Sequence, residues 1–373
     1  MISQDTQPSP RIARPSTTSR PPARLPRIAR APTWLIVLSG LLAAMVLSCV
    51  ACSFTLVVLG PERVLAVRDQ VFGRTTAERA AALGQIIDVI RGEEVWPVPD
   101  KGRLTILLMG VDQRADQSNT PVRSDAITLV TIDPQSNSAA MLSIPRDLYV
   151  PIAGMDRTDR INTAYFFGEA NKLPGGGAQT AKDTLAWNLG IPVQKFFVIN
   201  FSGFIKAVDA LDGIDVDVPE TIVDDAYPTD DYGFERLVIP AGPTHMSGDL
   251  ALKYARTRHG DSDFGRLRRQ QQILLAVRDK ALSLNIVPRI PSLLDAVAGA
   301  YETDLTVAEM LSIAKTWSNI PRDRVAALRI DETMTTYWTT PTGGSVLIPN
   351  RAAITPVVEA FLGSPQPATS QLP

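Results

Sequence analysis

Cysteine and histidine are nearly absent, with two of each in 373 residues. Both cysteines, Cys49 and Cys52, lie inside one apolar run, so the rest of the chain folds without disulfides and draws its stability from its core. Two isolated histidines, His245 and His259, exclude a paired-histidine zinc motif. No glycine-rich loop ends in Gly-Lys-Ser/Thr, which excludes a P-loop nucleotide site, and Gly175-Gly176-Gly177 reads instead as a loop ahead of a helix. Ser312-Ile313-Ala314-Lys315 has the Ser-x-x-Lys spacing of penicillin-binding enzymes, but it lacks a Lys-Thr-Gly partner and sits in an ordinary helical pattern. Apart from the two cysteines, ionisable groups are missing from the whole of 34–60.

That run is long enough to cross a bilayer as a single helix. Arg11, Arg14, Arg20, Arg24, Arg27 and Arg30 precede it against the lone acid Asp5, whereas Glu62, Arg63, Arg68 and Asp69 follow it in balance, so the larger C-terminal part is expected outside the cell. A cleaved signal peptide would share the same order of regions. The run exceeds a signal core, however, and 54–59 continue it with no cleavage pattern, which favours an uncleaved single-pass anchor in the cell membrane. Residues 1–33, rich in Pro, Arg, Ser and Thr, read as a disordered cytoplasmic tail. The tail is too short and too broken by proline for a helix-turn-helix, and no nucleic-acid partner is expected. Residues 61–99 read as a stalk with a helical stretch around 76–90, 100–363 as the globular part, and 364–373 as a loose tail.

Within the globular part, 104–109, 126–132 and 139–144 are apolar and of strand length. The turn-rich 133–138 joins the second and third as an antiparallel hairpin. If the first pair is antiparallel too, Asp112, Asp125 and Arg146 emerge at one edge of the sheet. Two carboxylates with arginines beside them suit a hard cation such as Mg²⁺, which prefers oxygen ligands and often bridges to substrate phosphate. The plainer reading is that Asp112 caps a turn and Asp125 pairs with Arg123 or Arg146. Helices are expected at 178–189, closed by Gly190, and at 203–211, ending near Gly213, with strands at 196–199 and 214–218. This interleaving predicts an α/β fold, a three-layer α/β/α sandwich with a mixed central sheet.

Between Tyr254 and Gln270 the chain packs Arg256, Arg258, Arg266, Arg268 and Arg269 around the expected start of a helix. Cations at that end oppose the helix dipole by roughly 0.3–1 kcal/mol each unless something negative offsets them, which implies a bound anion, most simply phosphate. Ser247 can cap a helix through Leu250 and Tyr254 that delivers Arg256 and Arg258 into the next loop. Helical spacing places Arg266, Arg269 and Gln270 on one face, free to grip an anion, while Leu267, Leu274 and Val277 face the core. A solvated charge run is the bland alternative.

Five blocks, GVDQR, VRSDAITLVTID, LSIPRDLYV, RINTAY and YARTRHGDSDFGRLRRQ, resemble in order the signature blocks of the LytR-CpsA-Psr family, over about residues 103–280. The resemblance implies an extracytoplasmic phosphotransferase that moves a glycopolymer from a polyprenyl pyrophosphate carrier to peptidoglycan. It implies Asp112 and Asp125 as Mg²⁺ ligands, these two with Arg123, Arg146, Arg256 and Arg258 as catalytic groups, and Arg123, Arg146, Arg256, Arg258, Arg266 and Gln270 around the pyrophosphate. Arg114, Arg160, Asp263 and Arg269 also match the motifs, Arg269 being counted with the pyrophosphate-binding set. A lipid-borne substrate needs an apolar channel, for which Tyr165, Phe166, Phe167, Trp187, Phe196, Phe197, Phe201 and Phe204 include candidates, most of them more simply core. The chain departs from the family pattern at Met246-Ser247-Gly248 and at Asp212-Gly213. Two alternatives stand beside the transferase: a lipid pyrophosphate hydrolase, and a non-catalytic receptor for anionic polymer. The paired aspartates disfavour the receptor, because they would repel an anion unless a cation lay between.

Overall fold

The computed structural model describes residues 95–113, 120–229, 233–258, 262–283 and 290–363. The expected cytoplasmic tail, membrane helix and most of the stalk lie outside these residues, as do Arg114 and 364–373. Among the described residues no helix is long and apolar enough to cross a membrane.

The chain folds as β1 (Leu104–Val111), β2 (Ser124–Asp133), β3 (Ser138–Ser143), β4 (Tyr149–Pro151), β5 (Thr158–Arg160), α1 (Thr163–Ala170), α2 (Gly176–Leu189), β6 (Lys195–Asn200), α3 (Phe201–Ala210), β7 (Ile214–Val218), β8 (Ile222–Pro228), β9 (Phe234–Ile239), β10 (Gly242–Met246), α4 (Gly248–Arg256), α5 (Asp263–Ser283), α6 (Ile290–Ala296), β11 (Tyr301–Thr303), α7 (Val307–Asn319), β12 (Val325–Arg329), β13 (Thr335–Thr339), β14 (Ser345–Pro349) and α8 (Arg351–Leu362). The main sheet has six strands in the order β11-β6-β1-β2-β3-β12. It is mixed: β1 runs antiparallel to β2 and parallel to β6, and β3 runs antiparallel to β2 and parallel to β12.

The central strands are continuous apolar runs because both faces of the sheet are covered. Leu107, Leu129 and Leu142 face α1, α2 and α8, packing with Ala164, Leu185 and Phe361. Ile106, Val130 and Met141 face the opposite way, toward Leu274 of α5 and Ile313 and Trp317 of α7. Trp96 and Val98 join this second face, and the Trp96 indole donates to the Gly102 carbonyl at 2.8 Å, so the end of the expected stalk is packed onto the domain. Ser312 is fully buried in α7 and accepts from the Val95 amide at 3.0 Å, a structural role for the Ser-x-x-Lys spacing.

A smaller core lies under the β7–β10 pair and the β8–β9 hairpin, where Val208, Val216, Tyr227, Ile239 and Tyr254 meet Ile273 of α5. Two local details explain the departures from the family pattern. Asp212 (φ 60°) and Gly213 (φ 73°) both adopt the left-handed conformation that closes α3, and aspartate is among the few side chains that tolerate it. Ser247 accepts from the Leu250 amide at 3.4 Å, the capping role that asparagine or aspartate would fill equally well.

Gly248 next to it has no such latitude, since a Cβ there would sit 2.2 Å from the Ile205 carbonyl oxygen. Helix propensity alone would make Gly248→Ala stabilising by up to ~1 kcal/mol. Overpacking against backbone outweighs this, so the variant is expected to lose roughly 1–3 kcal/mol of stability, read as a lower urea midpoint with unchanged slope.

Candidate active site

The antiparallel β1–β2–β3 arrangement brings Asp112, Asp125 and Arg146 to one sheet edge. A bulge aims the second of them. Gly110 pairs with Ala126 and Val111 with Ser124, which leaves Asp125 as the extra residue, and bulges of this kind re-aim a side chain near the end of a ladder. Arg146 donates to Asp125 Oδ1 at 2.5 Å, with Asp147 at 3.6 Å and Asp263 at 4.0 Å from its Nε.

Two cavities meet at this edge. One, of about 560 Å³, is polar and is lined by Arg123, Arg146, Asp147, Arg160, Asn162 and Asp263, with Tyr337 and Ser345 contributed by β13 and β14. The other, of about 780 Å³, is largely apolar, with Phe197, Phe201, Phe204, Ile273 and Leu274 in its walls and Arg256, Arg258, Arg266 and Gln270 at its polar end. Asp112 and Asp125 line both. Three of the eight aromatics expected near a lipid channel, Phe197, Phe201 and Phe204, thus line the apolar cavity. The others lie elsewhere: the Tyr165 hydroxyl donates to Glu302, Phe166 and Phe167 pack edge-on, Phe196 lies near Lys182, and Trp187 is exposed.

The arginines of the 254–270 stretch divide by role. Arg256 stacks 4.3 Å over Phe201 and reaches Asp112 at 3.8 Å. Arg258 lies in the loop, 3.8 Å from Asp263, and Arg266 is buried, 3.4 Å from the same carboxylate. Arg268 is exposed. Arg269 departs from the pyrophosphate-binding role expected of it. It is buried against α4 and donates to the carbonyls of Tyr254 and Thr257, so it holds the arginine-bearing loop and lines neither cavity.

Six arginines face five aspartates around the two cavities, an excess of one positive charge. Burial opposes the charge on Arg146, but Asp125, Asp147 and Asp263 outweigh it and hold its pKa above the usual value. Arg266 goes the other way: burial, reinforced by Arg146 and Arg258 against the pull of Asp263, pushes it down to about 10. Burial and a hydrogen bond shared with Asp263 raise the pKa of Asp147. That bond and the three arginines around it hold Asp263 low despite its burial.

Among the described residues six buried side-chain polar atoms lack a hydrogen-bond partner, and four belong to cavity residues: Arg146 Nε, Asn162 Oδ1, Arg266 Nε and Gln270 Oε1. Native interiors rarely tolerate such orphans, and here two guanidinium donors and two amide acceptors mark a place for ligands that both accept and donate hydrogen bonds. Among the described residues no group of three or more His, Cys, Asp or Glu is placed to hold a metal by itself. Asp112 and Asp125 nevertheless fit Mg²⁺, which is commonly held by one or two carboxylates, water and substrate phosphate together.

Sequence reasoning missed Asp147, Asn162, Tyr337 and Ser345. Asp147 adjoins Arg146 and Asn162 lies two residues from Arg160, so proximity to a motif arginine was the available signal for both. The hairpin that brings Tyr337 carries none.

Residues 75–356 match the model of the LytR_cpsA_psr family. The chain is 32% identical over 231 residues to the polyisoprenyl-teichoic acid–peptidoglycan teichoic acid transferase TagU of Bacillus cereus, covering 61% of this chain and 69% of that protein. To the transferase TagV of Bacillus subtilis it is 34% identical over 235 residues, 62% of this chain and 57% of that one. Among solved structures, B. subtilis TagV superposes with a TM-score of 0.57 at 29% identity, covering 70% of this chain and 98% of TagV. A structure described as TagT bound to LI-WTA gives 0.54 at 26% identity, over 71% and 93% of the two chains.

Proposed function

Because this chain belongs to the LytR-CpsA-Psr family, whose relatives named above are transferases to peptidoglycan, we propose that it transfers a glycopolymer from a polyprenyl pyrophosphate carrier to a peptidoglycan hydroxyl. The observation that carries this is the meeting of an apolar cavity and an arginine-lined polar one at Asp112 and Asp125. An amphipathic donor fits across that junction, with its lipid in the apolar cavity and its pyrophosphate among Arg256, Arg258, Arg266 and Arg146. Phe197, Phe201 and Phe204 would bury the chain at the usual gain of about 0.8 kcal/mol per CH₂.

The acceptor hydroxyl oxygen bonds to the phosphorus nearer the glycan. The bond from that phosphorus to the bridging oxygen breaks, polyprenyl phosphate leaves with the electron pair, and the hydroxyl proton passes to a site carboxylate. Guanidinium groups aimed at the phosphoryl oxygens stabilise the charge that develops there. Mg²⁺ held by Asp112 and Asp125 would supply further charge neutralisation at those oxygens. Asp263 orients Arg258 and Arg266 from behind, and Arg269 fixes the loop that carries Arg256 and Arg258. An anchor at 34–60 would hold this site against the membrane that supplies the donor.

The test uses the full chain in detergent with a short-chain polyprenyl pyrophosphate glycan and a peptidoglycan acceptor. Polyprenyl phosphate release with glycan joined to the acceptor is expected, abolished by EDTA and restored by Mg²⁺. Release without joining would mean a hydrolase, and tight donor binding with no release under any metal condition would mean a receptor.

A further inference from the structure

The two cavities are chemically unlike, and in-line displacement at phosphorus assigns them different tenants. The attacking oxygen must approach opposite the leaving group. If the leaving polyprenyl phosphate withdraws toward the apolar cavity, the nucleophile enters from the polar one, across Asp112 and Asp125. From this, and resting on the transferase reading above, we infer that the polar cavity is the acceptor subsite, with Tyr337 as a stacking platform for a glycan ring and Asn162 as a hydroxyl acceptor.

Two independent observations make the cavity a sugar site. Tyr337 lines it and is 62% exposed, the one aromatic among the described residues of a wall that also carries Arg160, Asp147 and Asp263, where the C–H face of a pyranose can lie. Asn162 is only 4% exposed, lines the same cavity, and its Oδ1 has no hydrogen-bond partner. A phosphate, which has acceptors alone, leaves that oxygen unpaired. A sugar hydroxyl satisfies it by donating, while the attacking hydroxyl of the same glycan keeps its own proton for the site carboxylate.

The platform is built rigidly. Arg160 donates from Nε and Nη2 to the Ser345 carbonyl at 3.1 and 2.8 Å, and from Nε it also reaches Asp147 at 3.1 Å. The Leu347 amide donates to the Asp147 carbonyl at 2.9 Å. On the other face of β13, Trp338 packs on Tyr149 with ring centroids 5.6 Å apart. The β13–β14 hairpin is thereby fastened to the loop that bears Arg146 and Asp147, at a fixed distance from the reacting centre.

The experiment measures binding as well as turnover, using the full chain in detergent, a soluble uncrosslinked peptidoglycan glycan fragment and a short-chain polyprenyl pyrophosphate glycan as donor. Saturation-transfer NMR on the fragment should place the ring C–H protons against the protein. Tyr337→Ala should weaken fragment binding and raise the half-saturating acceptor concentration about tenfold, with donor affinity unmoved. Tyr337→Phe, which keeps the ring, should restore most of the binding, and Asn162→Ala should weaken the fragment but not the donor. Failure of wild type to bind the fragment, equal binding by Tyr337→Ala, or a loss confined to donor affinity would each overturn the assignment. If wild type binds the fragment through Tyr337 yet joins nothing to it, the subsite stands and the transferase reading falls. If transfer proceeds at full acceptor affinity in Tyr337→Ala, the reverse holds.

Discussion

Asp125→Asn is expected to lower the rate of glycan transfer by about a thousandfold or more while the protein stays folded. The substitution keeps the shape of the side chain and an oxygen that can accept from Arg146, now 2.5 Å away, but it removes the negative charge. Two losses then coincide. A carboxylate that faces both cavities no longer offers a hard anionic ligand, and the proposed metal typically accounts for several kcal/mol of transition-state stabilisation. Arg146 also loses the charge of its nearest partner, which leaves its ion pairing to Asp147 and Asp263, 3.6 and 4.0 Å from its Nε. Those two remaining carboxylates keep the guanidinium paired, so the melting temperature should change little. Rates of polyprenyl phosphate release against Mg²⁺ concentration, with thermal unfolding alongside, give the check. A variant that transfers at wild-type rate with wild-type Mg²⁺ dependence would remove Asp125 from the site.

The sheet edge was legible in the sequence because β1, β2 and β3 are buried on both faces and therefore stand out as apolar runs. A short turn-rich link fixed the sense of β2–β3, and the placing of Asp112, Asp125 and Arg146 followed from the direction of three strands. The bulge at Asp125 was not legible, since one extra residue in a ladder leaves no trace in apolar patterning. Arg269 shows where helical spacing runs out. Arg266, Arg269 and Gln270 span an arc of roughly 100° on α5, wide enough for one end to face the cavity and the other to face α4. Which end turns inward depends on the carbonyls of Tyr254 and Thr257, and these belong to tertiary packing. Tyr337 lay further out of reach, because β13 and β14 are short, half-exposed strands that meet the site through Arg160 and Asp147, far away along the chain.

Arg258→Ala is the second large effect, expected at about a hundredfold or more in turnover, with stability unchanged. The contrast with its neighbour makes the case. Arg266 has a side chain only 4% exposed and sits 3.4 Å from Asp263, so its removal would unbalance a buried carboxylate and cost folding energy along with activity. Arg258 is 51% exposed with the same aspartate at 3.8 Å, a pair worth at most about 1 kcal/mol to stability. Its positive charge near the start of α5 opposes the helix dipole, which makes it a residue retained for an anion rather than for the fold. Loss of one donor aimed at developing phosphoryl charge typically costs about 10²–10³ in rate. Arg258→Lys should recover only part of this, since a point charge replaces a planar fork that can hold two oxygens at once. Turnover measured at saturating donor, with melting curves for all three proteins, separates the outcomes. A fall in turnover with an unshifted melting curve places Arg258 on the transferred phosphoryl group, whereas equal turnover in all three would leave the anion to Arg146, Arg256 and Arg266.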